Sequence, residues 1–210
     1  MGDSSQQLVP PENFAMVWKG IYRSGFPTKK NLPFLRTIGI RSVLCLCPED
    51  YPESSLNFFE VNDIDLIQHG VDGNKAPDDR DGAYMNPATV ARAVAELMDE
   101  STHPVLIHCN QGKHRTGCLV GCLRKVQRWS LVAIFEEYRR FAGEKARLVD
   151  LQFIELFDIS TIPSPQSKAS TTAASANLQK LSSPSEKKKD NKDKKKDKGG
   201  TPIETMSAVQ

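Results

Sequence analysis

The run His108-Cys109-Asn110-Gln111-Gly112-Lys113-His114-Arg115-Thr116-Gly117 constrains this chain more than any other stretch. It follows the apolar Val105-Leu106-Ile107 and opens the amphipathic segment from Cys118 to Trp129. That order reads as a strand, a tight loop and a helix. Amides of such a loop turn inward and make a concave nest for an anion, and the positive end of the helix dipole adds to it. The same field, with an arginine six residues on, stabilises Cys109 as a thiolate. A thiolate attacks phosphorus well. Arg115 offers a planar fork that grips two phosphoryl oxygens, most tightly in the transition state. Gly112 lets the backbone turn where a Cβ would crowd the anion. Thr116 can donate its hydroxyl to the sulfur.

The rest of the chain supplies the frame for that loop. Phe14 to Val17 and Ile21 to Gly25 form two short strands around Lys19-Gly20. Thr28 caps a helix that ends at Gly39, with Pro33 early enough to be tolerated. Ile40 to Cys47 is apolar almost throughout, as a central parallel strand covered on both faces would be. A helix over Ser54 to Val61 and a strand over Ile64 to Val71 follow. Asp72 to Asn86 is polar and long for such a connection, which marks it as a functional loop. Asn86 caps and Pro87 starts a helix reaching Glu100, with Val90, Val94, Leu97 and Met98 on one stripe. Pro104 to His108 is the strand feeding the cysteine loop. Ser130 caps a helix with Leu131, Ile134, Phe135, Tyr138 and Phe141 inward, and Asp150 caps another from Leu151 to Phe157. The fold class is therefore α/β, a central and mostly parallel sheet flanked by helices on both faces. The cysteine loop joins a central strand to a helix at the sheet's C-terminal edge, where such folds place ligands.

Composition sets the boundaries. Residues 1–13 read as a disordered lead-in, 14–159 as the folded domain and 160–210 as a disordered tail, rich in Ser, Ala and Pro and then in Lys. The net charge of +2 hides an asymmetry: the tail holds ten Lys and five acidic residues, leaving 18 basic and 21 acidic residues before it. A basic site inside that mildly acidic domain has to be local. The Lys run suits a solvated tail better than a polyanion-binding patch, because Asp residues interrupt it. The five cysteines are odd in number and include a reactive one, which points to a reducing compartment. A zinc site from Cys45, Cys47, Cys118 and Cys122 has poor spacing, and buried free thiols fit better. The N-terminus lacks an apolar secretory core, Gln6 stands where a myristoylation site needs Ser or Thr, and no apolar run reaches membrane-spanning length. These features place the chain in the cytoplasm, with the nucleus as a second address.

The loop carries the Cys-x5-Arg signature of cysteine-dependent phosphatases. In longer form, G-K-H-R-T-G-C-L-V-G-C resembles the plant and fungal atypical dual-specificity phosphatases of the tyrosine phosphatase superfamily. Further matching stretches are P-P-E-N-F-A-M-V at 10–17, G-I-Y-R-S-G-F-P at 20–27, L-C-P-E at 46–49 and G-N-K at 73–75. E-Y-R-R-F-A at 137–142, K-A-R at 145–147 and F-D at 157–158 also fit. The resemblance spans about residues 9–158 and none of the tail. It implies the cysteine-phosphatase fold, no cofactor and no metal. It also implies removal of the β-phosphate from inositol pyrophosphates, typically at the 5-position, with phosphoproteins as the alternative substrate.

On that reading Cys109, Arg115 and His114 are the catalytic candidates. Asn74, Lys75, Asn110, Gln111, Gly112, Lys113 and Thr116 are the substrate-binding ones, and Arg23, Arg124 and Lys125 are candidates to extend the basic surface. The partner is a small polyphosphate, with no membrane and no specific nucleic acid. Relatives in the wider superfamily protonate the leaving group with an Asp on a separate upstream loop, so Asp78, Asp79 and Asp81 compete with His114 for that role. The sequence departs from the family in two places. The segment after Gly73 is longer and more acidic, with Ala76 where Glu is usual. Gln111 stands where relatives often carry a basic residue, removing one positive charge from the loop rim.

Overall fold

The computed structural model describes residues 7–73 and 85–164. In chain order these form β1 (Ala15–Trp18), β2 (Ile21–Ser24), α1 (Leu32–Thr37), β3 (Ser42–Cys45), α2 (Glu53–Val61) and β4 (Asp65–Gln68). Then come α3 (Pro87–Met98), β5 (Val105–His108), α4 (His114–Val126), α5 (Leu131–Ala142) and α6 (Leu148–Leu156). The strands order as β1-β2-β5-β3-β4. β1 is antiparallel to β2, and every other pairing is parallel.

Register assigns the two faces. Tyr22, Leu106 and Val43 align across the central strands, as do Ser24, His108 and Cys45. Side chains alternate along a strand, so these share one face, while Ile21, Arg23, Ile107 and Leu44 share the other. Phe14 packs on Tyr22 and on Phe34 of α1, and Tyr51 packs on both His108 and Phe59 of α2. The first face is thus covered by α1 and α2. On the second, Arg23 lies against Phe141 of α5, and α4 packs through Gly117 on Tyr138 of α5 and through Gly121 on Ile154 of α6. Coverage on both sides explains why all four residues of β3 and of β5 are buried. The expected α/β sheet with helices on both faces is the one observed, and β5, which feeds the cysteine loop, is its middle strand.

Local chemistry explains most boundaries. Asn86 Oδ1 accepts from the Ala88 amide at 2.9 Å and starts α3, and Ser130 Oγ accepts from the Ala133 amide at 3.3 Å and starts α5. The helix expected from Thr28 divides in two: a 3-10 turn over Lys29–Asn31 precedes α1, which carries Pro33 in its first turn. α3 ends at Met98, and a second 3-10 turn covers Glu100–Thr102, capped by Asp99.

Three expectations are corrected. Helix α6 begins at Leu148, so Asp150 lies in its first turn and is fully buried rather than capping its start. The segment from Val9 to Asn13, expected to be disordered, is tied down. Asn31 Nδ2 donates to the carbonyls of Val9 and Pro10 at 3.1 Å, and the Glu12 carbonyl accepts from the Gly25 amide at 2.7 Å. The folded part also extends past residue 159, with Ile159 and Ile162 packed against the core around a last 3-10 turn. All five cysteines are free and buried. The conceivable zinc quartet is not assembled: Cys45 and Cys47 gather instead with His108, their donor atoms within 4.8 Å of one another. No helix among the described residues is long and apolar enough to cross a membrane.

Candidate active site

The loop after β5 is shaped by what its carbonyls bond to. The His108 carbonyl accepts from the Leu46 amide at 2.9 Å, continuing the sheet. The Asn110 carbonyl accepts from the Phe26 amide at 2.9 Å, the Gln111 carbonyl from Asn13 Nδ2 at 2.7 Å, and the Gly112 carbonyl from Arg23 Nη2 at 2.7 Å. In a trans peptide the N–H points opposite to its C=O. Anchoring three successive carbonyls outward therefore turns the amides of Gln111, Gly112 and Lys113 toward the loop's concave side. Helix α4 begins within the loop at His114, and its first helical bond runs from the Gly117 amide to the Lys113 carbonyl at 2.9 Å. The amides of His114, Arg115 and Thr116 thus have no helical acceptor and extend the nest. Gly112 has φ +69°, and a Cβ there would meet the Ser24 carbonyl carbon and oxygen at 2.5 Å. Its need for glycine is thus set by the β2 backbone beneath it, and not by the anion above.

Cys109, Asn110, Gln111, His114 and Arg115 line one cavity of about 510 Å³ together with Pro48, Val71 and Arg147. That size suits a small-molecule ligand. Cys109 is 3% exposed, at the base. Arg115 Nη1 donates to the carbonyls of Leu46 at 3.2 Å and Val71 at 3.3 Å, the chain ends beyond β3 and β4. Among the described residues both of its bonds use Nη1, which leaves Nε and Nη2 for a bound anion. His108 is occupied on both ring nitrogens: Nε2 faces Tyr51 Oη at 3.0 Å and Nδ1 faces the Cys109 carbonyl at 3.4 Å. These contacts tie the ring to Tyr51 and to the start of the loop.

His114 is backed by groups from two other helices. Its Nδ1 lies 2.9 Å from Asp150 Oδ2 of α6 and 3.2 Å from Tyr138 Oη of α5. Tyr138 Oη donates to the same Asp150 oxygen at 2.5 Å, and burial pushes its phenol up, with the Asp150 bond adding to that. An Nδ1–H donated to Asp150 leaves Nε2 as the nitrogen free to exchange a proton. Thr116 is fully buried, and its Oγ1 has no hydrogen-bond partner among the described residues. The donation to the cysteine sulfur expected of it is not made in this structure.

Three further basic candidates do not extend the surface. Arg23 is 1% exposed beneath the loop. Arg124 is buried, forked onto Glu137 at 2.8 and 3.0 Å and stacked on Trp129. Lys125 Nζ donates to the carbonyls of Ile154, Glu155 and Phe157 at 2.6–2.9 Å, closing the C-terminal end of α6. Arg147, by contrast, lines the cavity. Sequence reasoning missed it, although it ends the K-A-R stretch that carried the resemblance. Asn74 and Lys75, and the competing acids Asp78, Asp79 and Asp81, lie outside the described residues. Among the described residues, the acidic groups that line the cavity are Glu49 and Asp72. Burial pushes the thiols of Cys118 and Cys122 up, and the Asp150 charge adds to that at Cys118. The Cys45 bond and burial do the same to Cys47, so these three remain thiols at neutral pH.

Comparison with known proteins agrees with this geometry. Inositol diphosphatase DSP1 of Oryza sativa is 55% identical over 157 residues, covering 74% of this chain and 68% of the relative. Inositol diphosphatase DSP3 of Arabidopsis thaliana is 54% identical over 155 residues, covering 74% of each. Among solved structures, the core catalytic domain of the PP-IP phosphatase SIW14 from S. cerevisiae, in complex with citrate, superposes with a TM-score of 0.68. It is 43% identical and covers 82% of this chain and 96% of that one. Residues 8–176 match the tyrosine phosphatase family, and over that span, which includes the whole cysteine loop and the sheet that carries it, the chain belongs to that family.

Proposed function

We propose that this chain hydrolyses the β-phosphate of inositol pyrophosphates through a phosphocysteine intermediate. The observation that carries the reading is the anion nest with Cys109 at its base and Arg115 at its rim, opening into a cavity large enough for more than one phosphate. The relatives named inositol diphosphatases support the substrate class.

In the proposed first step Cys109 Sγ attacks the terminal phosphorus in line with the bridging oxygen. The S–P bond forms as the P–O bridge breaks, and the bond's electron pair leaves on the inositol polyphosphate. The loop amides from Gln111 to Arg115, with the guanidinium, hold the three equatorial oxygens. Water then attacks the phosphocysteine, releasing orthophosphate and the thiolate. The leaving group is itself a phosphate of low pKa, so little protonation is needed. His114 Nε2, with Nδ1 held by Asp150, is the proton donor assigned here where one is required. Lys113 and Arg147 offer charge to the substrate's remaining phosphates.

The test compares rate constants on 5-diphosphoinositol pentakisphosphate and on a phosphotyrosine peptide, for the chain and for Cys109→Ser. The expected result is faster turnover of the pyrophosphate, reduced to background by the substitution. Preference for the peptide would replace this substrate with phosphoproteins, in keeping with a relative from Dictyostelium discoideum named a probable tyrosine-protein phosphatase, 45% identical over 157 residues.

A further inference from the structure

Arg23 is the unexplained group of this fold. Its side chain leaves β2 on the face covered by α4 and α5, is 1% exposed, and has its guanidinium carbon 3.7 Å from the centre of the Phe141 ring. Nη2 reaches the Gly112 carbonyl, while Nε and Nη1 have no hydrogen-bond partner among the described residues. A buried cation with orphaned donors is costly unless a charge of opposite sign compensates it. The carboxylate that acts on it, Glu137, has both oxygens on Arg124, and Arg140 adds further positive charge. Two buried arginines share one glutamate, so one positive charge is in excess directly under the loop. Burial lowers the Arg23 guanidinium to about 10, which still leaves it charged at neutral pH, and Cys109 is among the groups whose negative charge favours that state.

We propose that Arg23 is a positioning residue of the reaction: it holds the Gly112 carbonyl outward, so that the Lys113 amide faces the anion, and its charge stabilises Cys109 as a thiolate from below. The inference rests on the cysteine-phosphatase reading above. Among the described residues, other ionisable groups surround Cys109: Arg115, His114, Arg147, Glu49 and Asp72 share its cavity, and Cys118 on α4, His108 on β5 and Cys45 on β3 act on it from within the fold. None of these is a buried cation beneath the nest, as Arg23 is.

The experiment measures two pH profiles on the full chain and on Arg23→Met, Arg23→Gln and Arg23→Lys. One is the rate of Cys109 alkylation by iodoacetamide, and the other is kcat/KM for p-nitrophenyl phosphate. With the charge removed, the midpoint of alkylation and the acidic limb of kcat/KM are expected to move up by about one pH unit, with alkylation near pH 6 slowing about tenfold. Protection by inorganic phosphate should weaken several-fold in Arg23→Met. Arg23→Lys should return both midpoints toward those of the parent. If Arg23→Met lacks a cooperative melt, the Gln and Lys variants decide: the same limb in both overturns the proposal. An unmoved limb in Arg23→Met, with only the active fraction reduced, makes Arg23 a packing residue and also overturns it. Failure of the underlying reading is distinct, since the parent chain would then lack turnover or Cys109→Ser would retain it.

Discussion

At Gly112 two constraints coincide, a positive φ and a neighbouring backbone that leaves no room for a Cβ. Gly112→Ala has to push the loop off Ser24 and Gly25, both backbone and neither able to swing away. Loss of several kcal/mol of stability, or a distorted nest, is expected. Thermal melts and p-nitrophenyl phosphate turnover read both, and a parent-like variant would refute the geometry. At His114 the prediction is selective. Its partners Asp150 and Tyr138 fix the ring, so His114→Ala and Asp150→Asn should act together on proton transfer. An alkoxide or phenoxide leaving group needs that proton more than a phosphate does. The substitutions should therefore slow turnover of unactivated phenyl phosphate by roughly 10²-fold and that of the pyrophosphate, or of p-nitrophenyl phosphate with its acidic phenol, much less. An equal loss on all these substrates would assign His114 to shaping the loop.

At the level of elements, α4 is the hub, because its N-terminus is the catalytic loop and its body packs on α5 and α6. A Cβ at Gly117 would come within 2.8 Å of the Tyr138 ring. Gly117→Ala is expected to displace Tyr138 and with it the Asp150–His114 pair, lowering turnover of unactivated phenyl phosphate more than stability. Lys125 ties α4 to the end of α6 through three carbonyls. Lys125→Met should cost about 1–3 kcal/mol in urea denaturation, since hydrogen bonds from a charged donor are lost to carbonyls that then need water. These ties also mark where sequence reading stops. The strand, loop and α4 were legible because apolar run, glycine and amphipathic period each obey a local rule, and so were the caps Asn86 and Ser130. Asp150 resembles a cap by every local rule, yet its carboxylate is spent on His114, 36 residues away in sequence. Arg23 follows β alternation onto a buried face, but an arginine in a strand reads as surface until Phe141 and Gly112 are seen around it. Arg124 and Lys125 likewise looked like surface charges and proved to be internal fasteners. Arg147 lines the cavity only because the short turn between α5 and α6 brings it back over the loop.

Over the whole molecule, charge is arranged against the grain of composition. Before Ser160 there are 18 basic and 21 acidic residues, so no general positive field draws in a polyanion. Among the described residues the attraction comes from the loop amides, the α4 dipole, Lys113 and the cavity-lining Arg115 and Arg147, set against Glu49 and Asp72. A field built from a few near charges acts within a screening length, about 10 Å at 0.1 M salt, and not as long-range steering. Two consequences separate binding from chemistry. Raising salt from about 50 to 500 mM should increase KM for 5-diphosphoinositol pentakisphosphate several-fold while leaving kcat nearly constant, because the charges that meet the outer phosphates lie on the exposed rim while Cys109 is buried and little screened. Arg147→Ala should raise the same KM and flatten its salt dependence, with little change for p-nitrophenyl phosphate, whose single phosphoryl group fills the nest alone. If Arg147→Ala instead lowers kcat on both substrates, Arg147 acts on the transferred phosphoryl group itself, and the cavity beyond the nest is not where the remaining phosphates bind.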